Sequence, residues 1–365
     1  MIHEKKYVPV GVGTLAHSPG SLSVGRDARI DAAKGLGIFL VVLGHAKGLP
    51  EWWVVLIYSF HVPLFFLLSG WAAGTNTRHS GFCEFLLHLM RTLLVPYVFF
   101  FFVGYIYWLL TRHIGAKDLR WGMHPWWEPL NGLLMGGGTA LYVQPSLWFL
   151  PALFVTKLTY QVLSKYVSLE RLVLFGGIFS WVWVWVRFFP GFGVRFPFAL
   201  DELPIAFLFF VFGVMGRRTS WLRLLPKTRK ANMILLAVLL FPWFLLALCN
   251  EKVDMNMLIF GNSPFIFHVS ALLGVVIVLC VAALVEQWSL VQWAGRNTLL
   301  ILCTHTLVFF VLFGVLSLLG GTSGLILAFL FSAITLCFIP IFRWILMRWI
   351  PWSLGACSYM RARSS

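Results

Sequence analysis

An all-α, polytopic transmembrane bundle of about ten spans is the fold this sequence predicts, and three observations predict it. Of 365 residues, 60% are hydrophobic and only 11% are charged, whereas a soluble domain carries about 25% charged residues. Mean hydropathy is +0.86, more apolar surface than a fold in water could hide. Apolar runs of membrane-spanning length recur from end to end.

Residues 1–28 are polar, with no continuous apolar core and no cleavage site, and read as a cytoplasmic N-terminal tail rather than a signal peptide. Spans follow near 30–48, 52–74, 92–111, 146–164, 172–189, 203–216, 232–249, 265–285, 297–319 and 324–346. No soluble domain fits between them, so residues 29–348 read as one membrane domain. Residues 349–365 then form a C-terminal cytoplasmic tail. In span two, Pro63 lacks an amide hydrogen and frees a carbonyl one turn earlier, which deforms the helix near His61.

Loop charge sets the orientation. With the N-terminus inside, inner segments hold 19 Lys and Arg residues and outer segments hold 7. This bias places both termini in the cytoplasm, which ten spans allow. It also accounts for most of the +15 net charge, so nucleic-acid binding is rejected. The six cysteines are Cys83, Cys249, Cys280, Cys303, Cys337 and Cys357; their scattered spacing points to neither a disulfide framework nor a metal site.

Two ionisable residues stand out in span one. Lys34 and His45 are eleven residues apart, almost three helical turns, so they share a face and lie about 16 Å apart along the axis. Ionisable groups inside a bilayer are costly and point to function. The orientation puts Lys34 near the cytoplasmic edge and His45 toward the outer side. His61, about 13 Å below the outer surface, can face His45 from span two.

These residues carry a resemblance. A basic residue, ten spacers and a histidine (Lys34, His45), with FF-x-x-SG (Phe65, Phe66, Ser69, Gly70) in span two, resemble the acyltransferase-3 family of integral-membrane O-acyltransferases. The likeness is greatest to its bacterial exopolysaccharide and surface-glycan acetyltransferase branch. RTLLVPY at Arg91–Tyr97, SLWFL at Ser146–Leu150 and GRNTLLILCTH at Gly295–His305 resemble later elements. The family often has two arginines entering span three; here His88 stands at the first position and only Arg91 is kept.

The resemblance implies transfer of acetyl from cytoplasmic acetyl-CoA, a co-substrate, to a sugar hydroxyl of a lipid-linked oligosaccharide or exopolysaccharide, with mannose of a xanthan-type polymer a candidate. It implies no bound cofactor and no metal, a bacterial inner membrane, and other polysaccharide-assembly proteins as partners. Histidine suits proton abstraction because its pKa is near neutrality. His45 is the candidate general base or acetyl carrier, and His61 its catalytic partner. Lys34 and Arg91 are candidates for binding the donor phosphates, with Asp31 pairing Lys34 on the helix. Ser69, His305 and His88 are supporting candidates, and Trp126, Trp127, Asp201 and Glu202 are candidate acceptor contacts. The rival reading is a transporter or flippase of a glycan precursor, against which no inverted repeat or pair of broken helices appears.

Overall fold

Helix α1 (Ala28–His45) starts where the Asp27 carboxylate accepts the backbone amides of Arg29 and Ile30, a side-chain N-cap. The computed structural model describes residues 27–74, 81–188, 195–226 and 228–355. Most of the two expected tails therefore lies outside the described residues. The described residues form a helical bundle, with one two-residue antiparallel pairing among them, β1 (Val253–Asp254) with β2 (Ile259–Phe260).

Span two is broken. It forms α2 (Glu51–Tyr58) and α3 (His61–Ala73), separated at Ser59–Phe60. The break falls four to three residues before Pro63, where the proline removes a ladder donor and crowds the preceding turn. His61 thus becomes the first residue of a half-helix. Span three is longer than its apolar run suggests. It joins α4 (Phe82–Leu89), a π-helical segment Met90–Leu94 and α5 (Val95–Thr111) into 30 continuous residues. The π turn lies just ahead of Pro96, and Thr92 Oγ1 donates to the His88 carbonyl at 2.9 Å.

Between spans three and four lie two short helices the apolar pattern does not mark, α6 (Ala116–Trp121) and α7 (Glu128–Met135). Then come α8 (Phe149–Leu163), α9 (Leu169–Arg187), α10 (Leu203–Thr219), α11 (Arg229–Asn250) and α12 (Pro264–Val285). The amphipathic α13 (Ser289–Arg296) precedes α14 (Thr298–Leu318) and α15 (Leu325–Trp349). Among the described residues, eight helical stretches are long and apolar enough to cross a membrane. The other two expected spans are α1, which carries Arg29, Asp31 and Lys34, and α8, which has 15 residues, about 23 Å at 1.5 Å per residue.

Glycine sets the closest approaches. A Cβ at Gly70 of α3 would fall on the Phe210 carbonyl of α10, and one at Gly213 on the Leu67 carbonyl. The same reciprocity joins α1 to α13: Gly35 lies on the Val291 carbonyl and Gly295 on that of Asp31. Small residues let membrane helices meet backbone to backbone, where dispersion rather than hydrophobicity drives association. The apolar stretch of α10 is 72% buried against 17% for α11, so α10 sits at the centre and α11 faces lipid.

Candidate active site

A cavity of about 200 Å3 runs beside α1, walled by Lys34, Ile38, Val41 and His45 of that helix. These are positions i, i+4, i+7 and i+11, one stripe of the helix. The two ionisable residues of span one therefore mark the two ends of one cavity. Its middle is apolar, with Phe65 and Leu68 of α3 and Leu150 and Leu153 of α8.

α3 lies antiparallel to α1. Gly37 is opposite Leu64 and Phe65, and Gly44 is opposite Ile57 and Tyr58. In this register His61 is level with Val41, one turn deeper than His45, and Ser69 is level with Lys34. Ser69 and His61 both line the cavity, but Ser69 belongs to the lysine end, away from His45.

Three histidines gather at the other end. His45 and His305 rings meet edge to face with centroids 5.1 Å apart, and Tyr58 lies between His45 (6.1 Å) and His61 (4.7 Å). Each ring is fixed the same way. Nδ1 of His45 lies 2.8 Å from the Val41 carbonyl, that of His61 2.9 Å from Ile57, and that of His305 2.9 Å from Ile301. A carbonyl only accepts, so Nδ1 carries the proton and a neutral ring keeps its basic lone pair on Nε2. The His305 Nε2 is buried without a hydrogen-bond partner among the described residues.

His268 is the contrast. Its Nδ1 is tied to the Pro264 carbonyl at 2.7 Å, and its Nε2 is also occupied, by Ser180 Oγ at 2.9 Å. Both nitrogens serve packing.

The SLWFL and GRNTLLILCTH elements meet here. Ser146 Oγ donates to the Leu302 carbonyl (3.1 Å) and lies 3.1 Å from Thr306 Oγ1, which itself donates to Gln144. Gln144 Nε2 donates to the Cys303 carbonyl at 3.0 Å. This network fastens the helix that carries His305, and Ser146 lines the cavity.

Other sequence candidates lie elsewhere. Arg91 and His88 are on the exposed flank of the helix around the π turn; Thr92 and Leu93 face the cavity instead. Asp31 is buried and pairs with Arg296 of α13 (3.5 Å). Trp126 and Trp127 are exposed ahead of α7. Asp201 and Glu202 present no open surface: both are buried, held by Arg195 at 2.8 and 3.7 Å.

Three residues were not singled out from sequence. Tyr58 bridges two histidines. Lys157 of α8 is near enough to Lys34 for their charges to interact. Asp254 lies in the β1 turn, where its charge acts on His45 and Tyr58. Burial pushes the Asp254 carboxyl above its ordinary range, opposed by the Met257 amide, Lys252 and His45. An intramembrane lysine is itself a signal for Lys157; Asp254 has none, because the loop alone brings it there.

A family described as an acyltransferase domain (Acyl_transf_3) matches residues 27–348. Nodulation protein NolL of Sinorhizobium fredii is 36% identical over 93 residues, covering 22% of this chain and 25% of that protein. The chain thus aligns with about a quarter of that relative's length. No solved structure matches. With the family covering nearly every described helix and eight described helical stretches long and apolar enough to cross a membrane, the chain belongs to the acyltransferase-3 family and has the make-up of a multi-pass membrane protein.

Proposed function

We propose that this protein moves acetyl from cytoplasmic acetyl-CoA to a sugar hydroxyl of a lipid-linked oligosaccharide or exopolysaccharide, in a bacterial inner membrane. One observation carries the reading: Lys34 and His45 cap opposite ends of one narrow cavity, with the His45 Nδ1 fixed on Val41. The loop charge bias assigns the Lys34 end to the cytoplasm, so the donor enters there and the acceptor meets it at His45.

The chemistry follows from this placement. The acceptor oxygen attacks the thioester carbonyl carbon while the His45 Nε2 takes its proton. The carbon–sulfur bond breaks, and the imidazolium returns the proton to the departing thiolate. A space of about 200 Å3 is below the roughly 300 Å3 at which ligand pockets begin, so it holds the acyl group and the end of the thioester arm. The adenine end stays outside. Apolar walls exclude water, which would otherwise compete for the thioester.

The test is NMR of acetyl signals on the surface polymer of a strain expressing His45→Gln. General-base loss costs about 10²–10⁴ in rate, so acetate disappears while polymer export continues. Normal acetylation by the variant sinks the mechanism; loss of the polymer itself favours the transporter reading.

A further inference from the structure

Helix α11 carries two cations that the chemistry above does not use. Arg229 and Lys230 begin the helix, and an open groove on its surface is lined by both of them and by Met233, Ile234 and Ala237. These are positions i, i+1, i+4, i+5 and i+8, one broad face of a helix. Arg229 to Ala237 spans about 12 Å along the axis, so the groove is cationic at one end and apolar along the rest. Met233 and Ile234 are 54% and 56% exposed, on a helix whose apolar stretch is only 17% buried. That face is turned to lipid, and the loop charge bias puts its cationic end in the cytoplasmic leaflet.

Packing fixes this end of α11 without occupying the two cations. Thr228 caps the helix by accepting the Ala231 amide at 3.2 Å. Asn232 is buried; it donates to the Pro226 carbonyl (2.7 Å) and accepts from Arg29 of α1 (3.3 Å), whose Nε donates to the Leu279 carbonyl of α12 (3.0 Å). Arg229 and Lys230 are both exposed, and among the described residues neither pairs with a carboxylate. Two cations above an apolar groove suit a ligand that joins an anion to a hydrocarbon tail. A zwitterionic headgroup would bring its own cation to the same place, where like charges repel. Basic side chains at the cytoplasmic end of a span draw the anionic lipids of that leaflet.

We propose that this groove binds one anionic phospholipid of the cytoplasmic leaflet, its phosphate held by Arg229 and Lys230 and an acyl chain lying along Met233, Ile234 and Ala237. The Arg229 guanidinium matches two phosphate oxygens and the Lys230 ammonium adds a point charge. The lipid braces a helix that the rest of the protein covers little. Further along α11, Trp243 meets Phe60 edge to face with centroids 5.6 Å apart, and Phe60 directly precedes His61, so the braced helix also backs the break in span two. The site stands independently of the acyl-transfer reading.

The experiment melts the full chain in phosphatidylcholine nanodiscs with and without phosphatidylglycerol, and reads lipid affinity by native mass spectrometry. Phosphatidylglycerol raises the melting temperature of the parent. Arg229→Gln with Lys230→Gln lowers its affinity by about tenfold or more and abolishes the shift, while melting in phosphatidylcholine alone stays at the parental value. Ala237→Trp fills the groove with both charges intact and also lowers the affinity, which decides the matter should the double variant fold poorly. Arg343→Gln with Arg348→Gln removes two cations from α15 and leaves the shift unchanged. Equal binding of the two lipids by the parent, or a shift that the α15 pair abolishes as well, overturns the proposal, because diffuse charge then accounts for it. Full affinity in Ala237→Trp, or protection by sn-glycerol 3-phosphate equal to that by the lipid, overturns the lipid as occupant.

Discussion

The imidazole of His45 lies edge-on to that of His305, with centroids 5.1 Å apart and planes 80° from each other. One ring closes span one and the other sits within α14, and both hold Nδ1 on the carbonyl four residues before. The consequence is a basic nitrogen of His45 whose direction is set by packing on two helices.

His305→Leu therefore lowers kcat by about tenfold, through loss of His45 alignment, with little effect on KM for acetyl-CoA. His45→Gln removes the proposed base and costs about 10²–10⁴. Steady-state kinetics on both variants in nanodiscs separate the two effects; equal losses would show that His305 also reacts.

Lys34 and Arg91 divide differently from what two basic residues in spans one and three suggest. Lys34 lines the cavity and Arg91 does not. Lys34→Ala raises KM for acetyl-CoA by about tenfold, the size of one charge-assisted contact, and Arg91→Ala changes it less than about threefold. The ratio of the two KM values is the measurement.

Arg195 is more stability than function. Its guanidinium holds Asp201 and Glu202, both with fully buried side chains. Arg195→Ala strands two carboxylates and costs about 3–5 kcal/mol, read as a large drop in melting temperature in detergent. The double variant Asp201→Asn, Glu202→Gln on the same background recovers part of it.

Asp254 makes stability depend on pH. Its carboxyl binds a proton more tightly in the folded chain than unfolded, so it favours folding at low pH and opposes it as pH rises through the raised value. Asp254→Asn removes that opposition and keeps an acceptor for the Met257 amide, now at 3.3 Å. The variant melts above its parent at pH 7, and the difference shrinks as pH falls toward the ordinary value of 3.8. Melting curves across that range check it.

Much of the architecture was legible because hydropathy reports bilayer residence directly. Each of the ten apolar runs is largely helical over its described residues, and the Lys34–His45 spacing placed both residues on one wall because helical periodicity is rigid. What stayed hidden depends on non-local packing. No local signal shows that α13 packs on α1 through Gly35 and Gly295, or that the β1 turn brings the Asp254 charge within reach of His45. Asp201 and Glu202 looked available as acidic loop residues, but their ion pair to Arg195 is a contact no spacing encodes. The depth of Ser69 likewise follows from the α1–α3 register, which glycines 37 and 44 set.

Span two is interrupted beside His61, and span three takes its π turn beside Thr92, at opposite ends of the cavity. Regular helices would interlock their side chains and leave no space there. The hollow thus borders a backbone irregularity at each end, the break before His61 and the π turn at Thr92. The reactive groups could diverge over a scaffold that keeps its chamber open, which lets one arrangement of helices serve acceptors of different shape.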